Sequence, residues 1–224
     1  MHAKSLDRNY LFDSLYNREV YATSGERILL WFDFIHPLLG KIPMGSEISL
    51  KQTKPNFSVK AIGSFKQKPG CPDYVHTSLD KNKISKLCLN ECYNPTNERN
   101  KIDRIEVVKI NVTKDLNNLN TAIQDPWKVF KCQDIGEGCS LQFTDSDFLV
   151  DKNETVYYVR AIQEQTLAVG GDPLRCVLDE EGECIKTVPC YASGSKFDPK
   201  DDCLAPIGER AWSSPIFISH ENSS

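Results

Sequence analysis

The chain has 224 residues, 27 basic against 31 acidic, and a formal net charge of -4. That length is enough for one large domain with a sizeable buried core. The charge balance leaves no basic footprint for nucleic acid or acidic phosphate partners. The longest apolar run, Ile28 to Phe32, is stopped by Asp33, far short of the ~20 residues of a membrane-spanning helix.

Residues 5–17 are expected to form a helix: Leu11 and Phe12 recur four positions on as Leu15 and Tyr16, with Ser5 as N-cap. Glu19 to Thr23 is rich in β-formers and closed by Ser24-Gly25, so a helix-to-strand unit opens the chain. Ile28 to Ile35 follows as a strand whose apolar character predicts burial on both faces, ended by Pro37 and Gly40. Short extended runs come next at Glu47–Lys51, Phe57–Ser64, Ile102–Val112, Ser140–Phe143, Thr155–Gln163 and Trp212–Ser219. In the third of these, Val108, Ile110 and Val112 are expected on one face and Lys109 and Asn111 on the other. The expected fold is mainly β, an antiparallel immunoglobulin-like sandwich spanning 28–224, preceded by a helix and strand at 1–27. Residues 66–101 and 170–205 have little apolar period and are expected to be stapled surface loops.

Nine cysteines, all between Cys71 and Cys203, exceed what a reduced cytosolic domain of this size carries and point to an oxidising compartment, periplasmic or extracellular. The opening Met1 to Arg8 lacks the apolar stretch of a secretory signal, so any leader is expected upstream. Cys132 and Cys139 bracket a loop with Gly136 and Gly138 that suits a short disulfide ring. Cys176, Cys184, Cys190 and Cys203 permit three pairings, with Cys176–Cys184 and Cys190–Cys203 first among them. Cys71, Cys88 and Cys92 leave one thiol over. A zinc site from Cys71, His76, Cys88 and Cys92 is the competing use of that trio, without the paired knuckles such sites favour.

Asp145 and Asp147, with Asp201 and Asp202, offer carboxylates to calcium, but a solvated turn or helix cap is the preferred reading. His2, His36, His76 and His220 are scattered, and no nucleophile elbow, phosphate loop or zincin helix occurs, so no catalytic residue and no metal ligand is assigned. Trp212 and Trp127 are read as core anchors, and Arg160 as a partner in a structural ion pair. The sequons at Asn56, Asn111, Asn153 and Asn222 would be glycan acceptors in a eukaryotic secretory protein and carry no such meaning in a bacterial one.

Two end segments, Arg18 to Ile28 and Gly208 to His220, enclose Asp103–Lys109, Gln124–Trp127, Phe143–Phe148, Tyr157–Ala161 and Asp201–Ala205. In this order they resemble the C-terminal half of a large bacterial family, a domain of unknown function within the polymerase and histidinol phosphatase (PHP) superfamily. The resemblance implies a metal-dependent hydrolase whose distorted barrel holds divalent metal ions and attacks a phosphoester or a related small-molecule ester. The superfamily's His-x-His and Asp-x-His pairs are absent from this sequence, so the metal ions are expected in a missing upstream barrel domain. Residues 1–27 would then complete that barrel, and this chain would be a C-terminal accessory β domain, inactive alone and without its own cofactor. Because barrel enzymes place function at the C-terminal ends of strands, Thr23, Ser24, Gly25 and Arg27 are expected near substrate. The alternative is an independent secreted β-sandwich serving as a binding or adhesion module.

Overall fold

A computed structural model describes residues 1–113, 119–133, 138–151, 153–169, 176–187 and 204–221. The first helix, α1 (Arg8–Tyr16), is capped by Asp7, whose carboxylate accepts from the Asn9 N–H at 2.9 Å. Ser5 stands outside the helix and accepts instead from the Asp7 N–H at 3.2 Å. Ser14 is the helix's buried residue, while Phe12 and Tyr16 are 63 % and 76 % exposed. The predicted apolar stripe therefore exists but faces away from the core.

Next come β1 (Tyr21–Thr23), β2 (Leu29–His36), β3 (Gly40–Pro43), β4 (Glu47–Leu50) and β5 (Asn56–Ile62). Contrary to the expectation of burial on both faces, β2 alternates, with Leu30, Phe32 and Phe34 inward and Trp31 and Asp33 half-exposed. Its outer face is dressed by lysines: Lys60 over the Trp31 ring and Lys41 paired with Asp33 at 3.3 Å.

Residues 66–101 are not loop. They hold β6 (Phe65–Gln67), α2 (Asp73–Ser78), α3 (Lys81–Cys88) and β7 (Pro95–Arg99), with β6 and β7 paired as a two-stranded ribbon. Asp80 caps α3 by accepting from the Lys83 N–H at 2.9 Å, and Ile84 buries its side chain beneath the helix. Polar composition hid these short helices, because a two-helix arm closed by a disulfide needs few apolar residues. The disulfide is Cys71–Cys92, and Cys88 keeps a free thiol among the described residues. Its closure across 21 residues contributes about 3 kcal/mol in the chain-entropy account. The Cys71→Ser/Cys92→Ser variant is expected to lose most of that and to become sensitive to limited proteolysis within residues 66–98. An arm that resists protease equally in both proteins would show that the ribbon and helices hold without the bridge.

The remainder comprises β8 (Ile102–Asn111), α4 (Leu119–Ala122), β9 (Ile123–Lys131), β10 (Cys139–Thr144), α5 (Phe148–Asp151), β11 (Thr155–Val169), β12 (Cys176–Leu178), β13 (Cys184–Thr187), β14 (Leu204–Ser213) and β15 (Ile216–His220). Cys132–Cys139 and Cys176–Cys184 are disulfides, as read from spacing, and the second ties β12 to β13. Cys190 and Cys203 lie outside the described residues, as do Asp201, Asp202 and Asn222. Ser214-Pro215 divides the predicted run Trp212–Ser219 between two strands, since proline cannot donate to a ladder.

The larger sheet is organised by β11. One edge pairs with β8, which carries β9. The other pairs first with β15 and then with β14, which carries β1 at the margin. All these pairs are antiparallel, and β4 adds to β15 in parallel. The smaller sheet runs β10-β5-β2-β3, also antiparallel. One core joins the two: Phe32, Phe57 and Phe143 from the smaller sheet meet Ile105, Val107, Tyr157, Val159 and Ala211 from the larger. Phe57 sits at its centre, 5.0 Å from Phe143 and 4.8 Å from Tyr157 between ring centroids.

Candidate functional site

The end of β1 and the turn after it carry the four residues expected near substrate. Ser24 extends the β1–β14 edge: its N–H donates to the Arg210 carbonyl at 3.0 Å, and its Oγ accepts from the Arg210 N–H at 2.9 Å. The same hydroxyl donates to the Glu209 carboxylate. Ser24 is thus engaged by β14, and Thr23 pairs with Ala211 in the sheet. Gly25 has no left-handed backbone requirement, and a Cβ there would meet Glu209 Oε2 at 3.7 Å, an ordinary contact.

Gly25 and Arg27 do reach a cavity of about 320 Å³, shared with Glu26, Ser64, Gln67 and Tyr93. The Arg27 guanidinium lies 4.3 Å from the Tyr93 ring centroid, a cation–π contact between the first turn and the disulfide-closed arm. The structure therefore brings Gly25 and Arg27 to one cleft, leaves Thr23 and Ser24 in the sheet edge, and adds Ser64 and Tyr93. The sequence gives no local signal for those two, because the arm folds back over the turn only in three dimensions.

Behind Ser64 is a buried polar network. The Ser64 N–H and Oγ both donate to Gln163 Oε1 at 3.0 Å, and Asn100 Nδ2 donates to Ser64 Oγ at 3.0 Å. Ser64, Asn100 and Gln163 are 1 %, 8 % and 1 % exposed. Hydrogen bonds in a low-dielectric interior fix geometry strongly, so this network anchors the arm to β11.

A second buried cluster lies toward the start of β11. Lys109 Nζ is 2.8 Å from Asp145 Oδ2, and the Tyr157 hydroxyl donates to the same oxygen at 2.6 Å. The other oxygen accepts from the Asp147 N–H at 2.9 Å. Lys109 and Asp145 are 2 % and 0 % exposed. Two expectations are corrected here. Lys109 is buried with Ile105 and Val107 on one face of β8, Val108 is buried on the other and Val112 is 49 % exposed, so the face carrying Lys109 is not the polar one expected. Asp145 is no solvated turn residue, and a carboxylate closed by an ammonium and a phenol offers nothing to calcium. Burial pushes the Asp145 carboxyl up, but the hydrogen bonds from Lys109, Tyr157 and the Asp147 backbone outweigh it and hold it below the usual carboxylate range.

The Cys71–Cys92 bridge removes two thiolates from the zinc reading around His76 and Cys88. Among the described residues no group of three or more His, Cys, Asp or Glu is placed to hold a metal ion. His36 has a structural role, its Nδ1 accepting from the Leu38 and Leu39 N–H groups at 3.1 and 3.0 Å. Arg160 pairs with Glu106 at 2.8 Å and with Asp125. Trp127 packs partly buried against the core between Lys109 and Lys128. Trp212 is half-buried on the opposite strand face from the buried Ala211 and Ser213, so it is not the core anchor expected.

Compared with protein-family models, curated proteins and solved structures, the chain matches none of them. The three disulfides among the described residues fit a non-cytoplasmic protein, and no described helix is long and apolar enough to cross a membrane.

Proposed function

We propose that the two sheets form an immunoglobulin-like sandwich acting as a C-terminal accessory domain of a PHP-type metal-dependent hydrolase in an extracytoplasmic compartment. The chemistry, a metal-activated water attacking a phosphoester or related ester, belongs to a barrel preceding this chain. The observation that carries the reading is α1, which offers Phe12, Leu15 and Tyr16 to solvent, with the Phe12 and Tyr16 rings stacked 6.2 Å apart. Adjacent exposed aromatics on one helix mark a contact face. The resemblance of the ordered segments from Arg18 to His220 to the PHP family supports such a barrel as the partner that would cover it. In that assembly the Arg27–Tyr93 cleft would stand at the barrel mouth, where the guanidinium can meet an anionic substrate group.

The test combines activity with docking. The chain alone is expected to show no turnover of a phosphoester supplied with manganese or zinc. Joined by co-expression with a PHP-type barrel, it should co-purify, and Phe12→Glu/Tyr16→Glu should weaken that association at least tenfold while leaving the melting temperature unchanged. Turnover by the chain alone, or a variant that docks as well as the parent, would sink the proposal. A monomer that binds no barrel but retains a carbohydrate or protein ligand would favour the independent adhesion module.

A further inference from the structure

The three sequons among the described residues converge on one end of the molecule. Asn111 closes β8 and pairs across the ladder with Thr155, the first residue of β11. Asn153 lies two residues earlier, on the connection whose Glu154 carbonyl accepts from the Val112 N–H at 2.7 Å. Asn56 opens β5 opposite Thr144, the last residue of β10. The next residue, Asp145, binds Tyr157 and Lys109, each two positions from Thr155 and Asn111 along its strand. Three acceptor positions from three strand ends are thereby gathered around the Lys109–Asp145–Tyr157 cluster. The Arg27 cleft is at the other end, because its Ser64 binds Gln163, eight residues further along β11, roughly 26 Å at ~3.3 Å per residue.

The side-chain geometry suits modification at the amide nitrogen. Asn56 Oδ1 accepts from Thr144 Oγ1 at 3.2 Å, and Asn111 Oδ1 accepts from Thr155 Oγ1 at 3.3 Å. Both bonds occupy the oxygen and leave Nδ2 open. Asn153 is the most favourable of the three, since it is exposed, on a connection, and followed by Glu154 and the hydroxyl residue Thr155. The three disulfides among the described residues fit the oxidising compartment that such a route passes through.

We infer that Asn153 is an N-glycosylation site and that Asn56 and Asn111 place any further glycans on the same end. In the transfer, Asn153 Nδ2 bonds to C1 of an oligosaccharide carried on a lipid diphosphate. The C1–O bond to the diphosphate breaks, the lipid diphosphate leaves with its electron pair, and the amide nitrogen gives up one proton. A glycan crown at this end leaves the cleft and the disulfide-closed arm uncovered. The inference rests on the extracytoplasmic part of the proposed function alone, not on the bacterial family resemblance, and it applies to a source whose secretory pathway transfers such oligosaccharides.

The experiment is peptide mapping of the protein secreted by its own source, with and without peptide N-glycosidase, under non-reducing conditions. The Asn153 peptide is expected only after enzyme treatment, with Asn153 converted to aspartate. Asn153→Gln should remove one glycan's mass from the intact protein without altering its melting temperature. An unmodified Asn153 peptide in a protein with the three disulfides intact would overturn the inference and leave the compartment standing. Nine free thiols would overturn both.

Discussion

Asp145→Asn is expected to destabilise the protein by about 3–5 kcal/mol, the loss typical of removing one partner from a buried ion pair. The amide keeps a similar shape but removes the charge that faces the buried Lys109 ammonium at 2.8 Å. It also weakens the acceptor that the Tyr157 hydroxyl uses at 2.6 Å. For a chain of this size each kcal/mol moves the melting temperature by roughly 2–4 °C, so a drop of about 10 °C should be visible by calorimetry. Lys109→Met should cost less, since the orphaned carboxyl can take up a proton. The double variant Lys109→Met/Asp145→Leu should fall short of the summed losses by ~1–3 kcal/mol, the coupling expected of touching residues. A melting temperature for Asp145→Asn within 2 °C of the parent would mean that the pair is solvated and holds nothing.

The same pair sets an acid limit. The folded Asp145 carboxyl titrates below its unfolded value, and so does Asp103, held down first by its hydrogen bond to Arg104. Near the unfolded carboxylate value of about 3.9 the unfolded chain therefore binds more protons than the folded one. Stability from these groups is complete above that value and is lost as pH falls through the lower folded values. A melting temperature level from pH 7 to ~5 and falling below ~4 is expected, with a shallower acid slope in Asp145→Asn.

Gly63→Ala is the second large effect. A Cβ at Gly63 would stand 1.8 Å from the Asn100 carbonyl oxygen, a backbone atom fixed by the Asn100 N–H donating to the Ser64 carbonyl at 2.8 Å and by the buried Ser64–Gln163 bonds. No side-chain rotation relieves that approach. The strands must part, at the upper end of overpacking costs, about 3 kcal/mol. The Arg99 guanidinium, which donates to the Gly63 carbonyl at 2.7 Å, would lose its seat, so the arm should become the first site of proteolysis. Gly25→Ala is the control: its nearest contact is 3.7 Å, and it should stay within ~0.5 kcal/mol of the parent. Equal behaviour of the two alanine variants would refute the close approach.

The legible parts of the fold were those governed by neighbours in the chain. Cys132 with Cys139 and Cys176 with Cys184 pair across short loops, so spacing pointed to the first directly and ranked the second first among three pairings. The partner of Cys71 was not legible, because Cys88 and Cys92 are four residues apart and only the end of α3 turns one of them toward the bridge. In β8 both faces carry apolar residues, Ile105 and Val107 on one and Val108 and Ile110 on the other, so period 2 did not reveal its phase. A lysine in a strand reads as solvent-facing, and its buried partner Asp145 lies just past the end of β10. At the candidate site, Gly25 and Arg27 were legible as a turn between strands, whereas Tyr93 and Ser64 joined them through the arm's return.

By itself the sequence determined a mainly β chain, the approximate strand positions, two of its disulfides and an oxidising environment. All of these follow from side-chain period, turn residues and cysteine count, which are local quantities. Tertiary structure alone decided that α1 shows its aromatic face to solvent, that Lys109 lies inside against Asp145 and Tyr157, that a two-helix arm closes over Arg27, and that three sequons share one end. Each of these depends on which strands become neighbours, and strand pairing is set by burial and register across the whole chain.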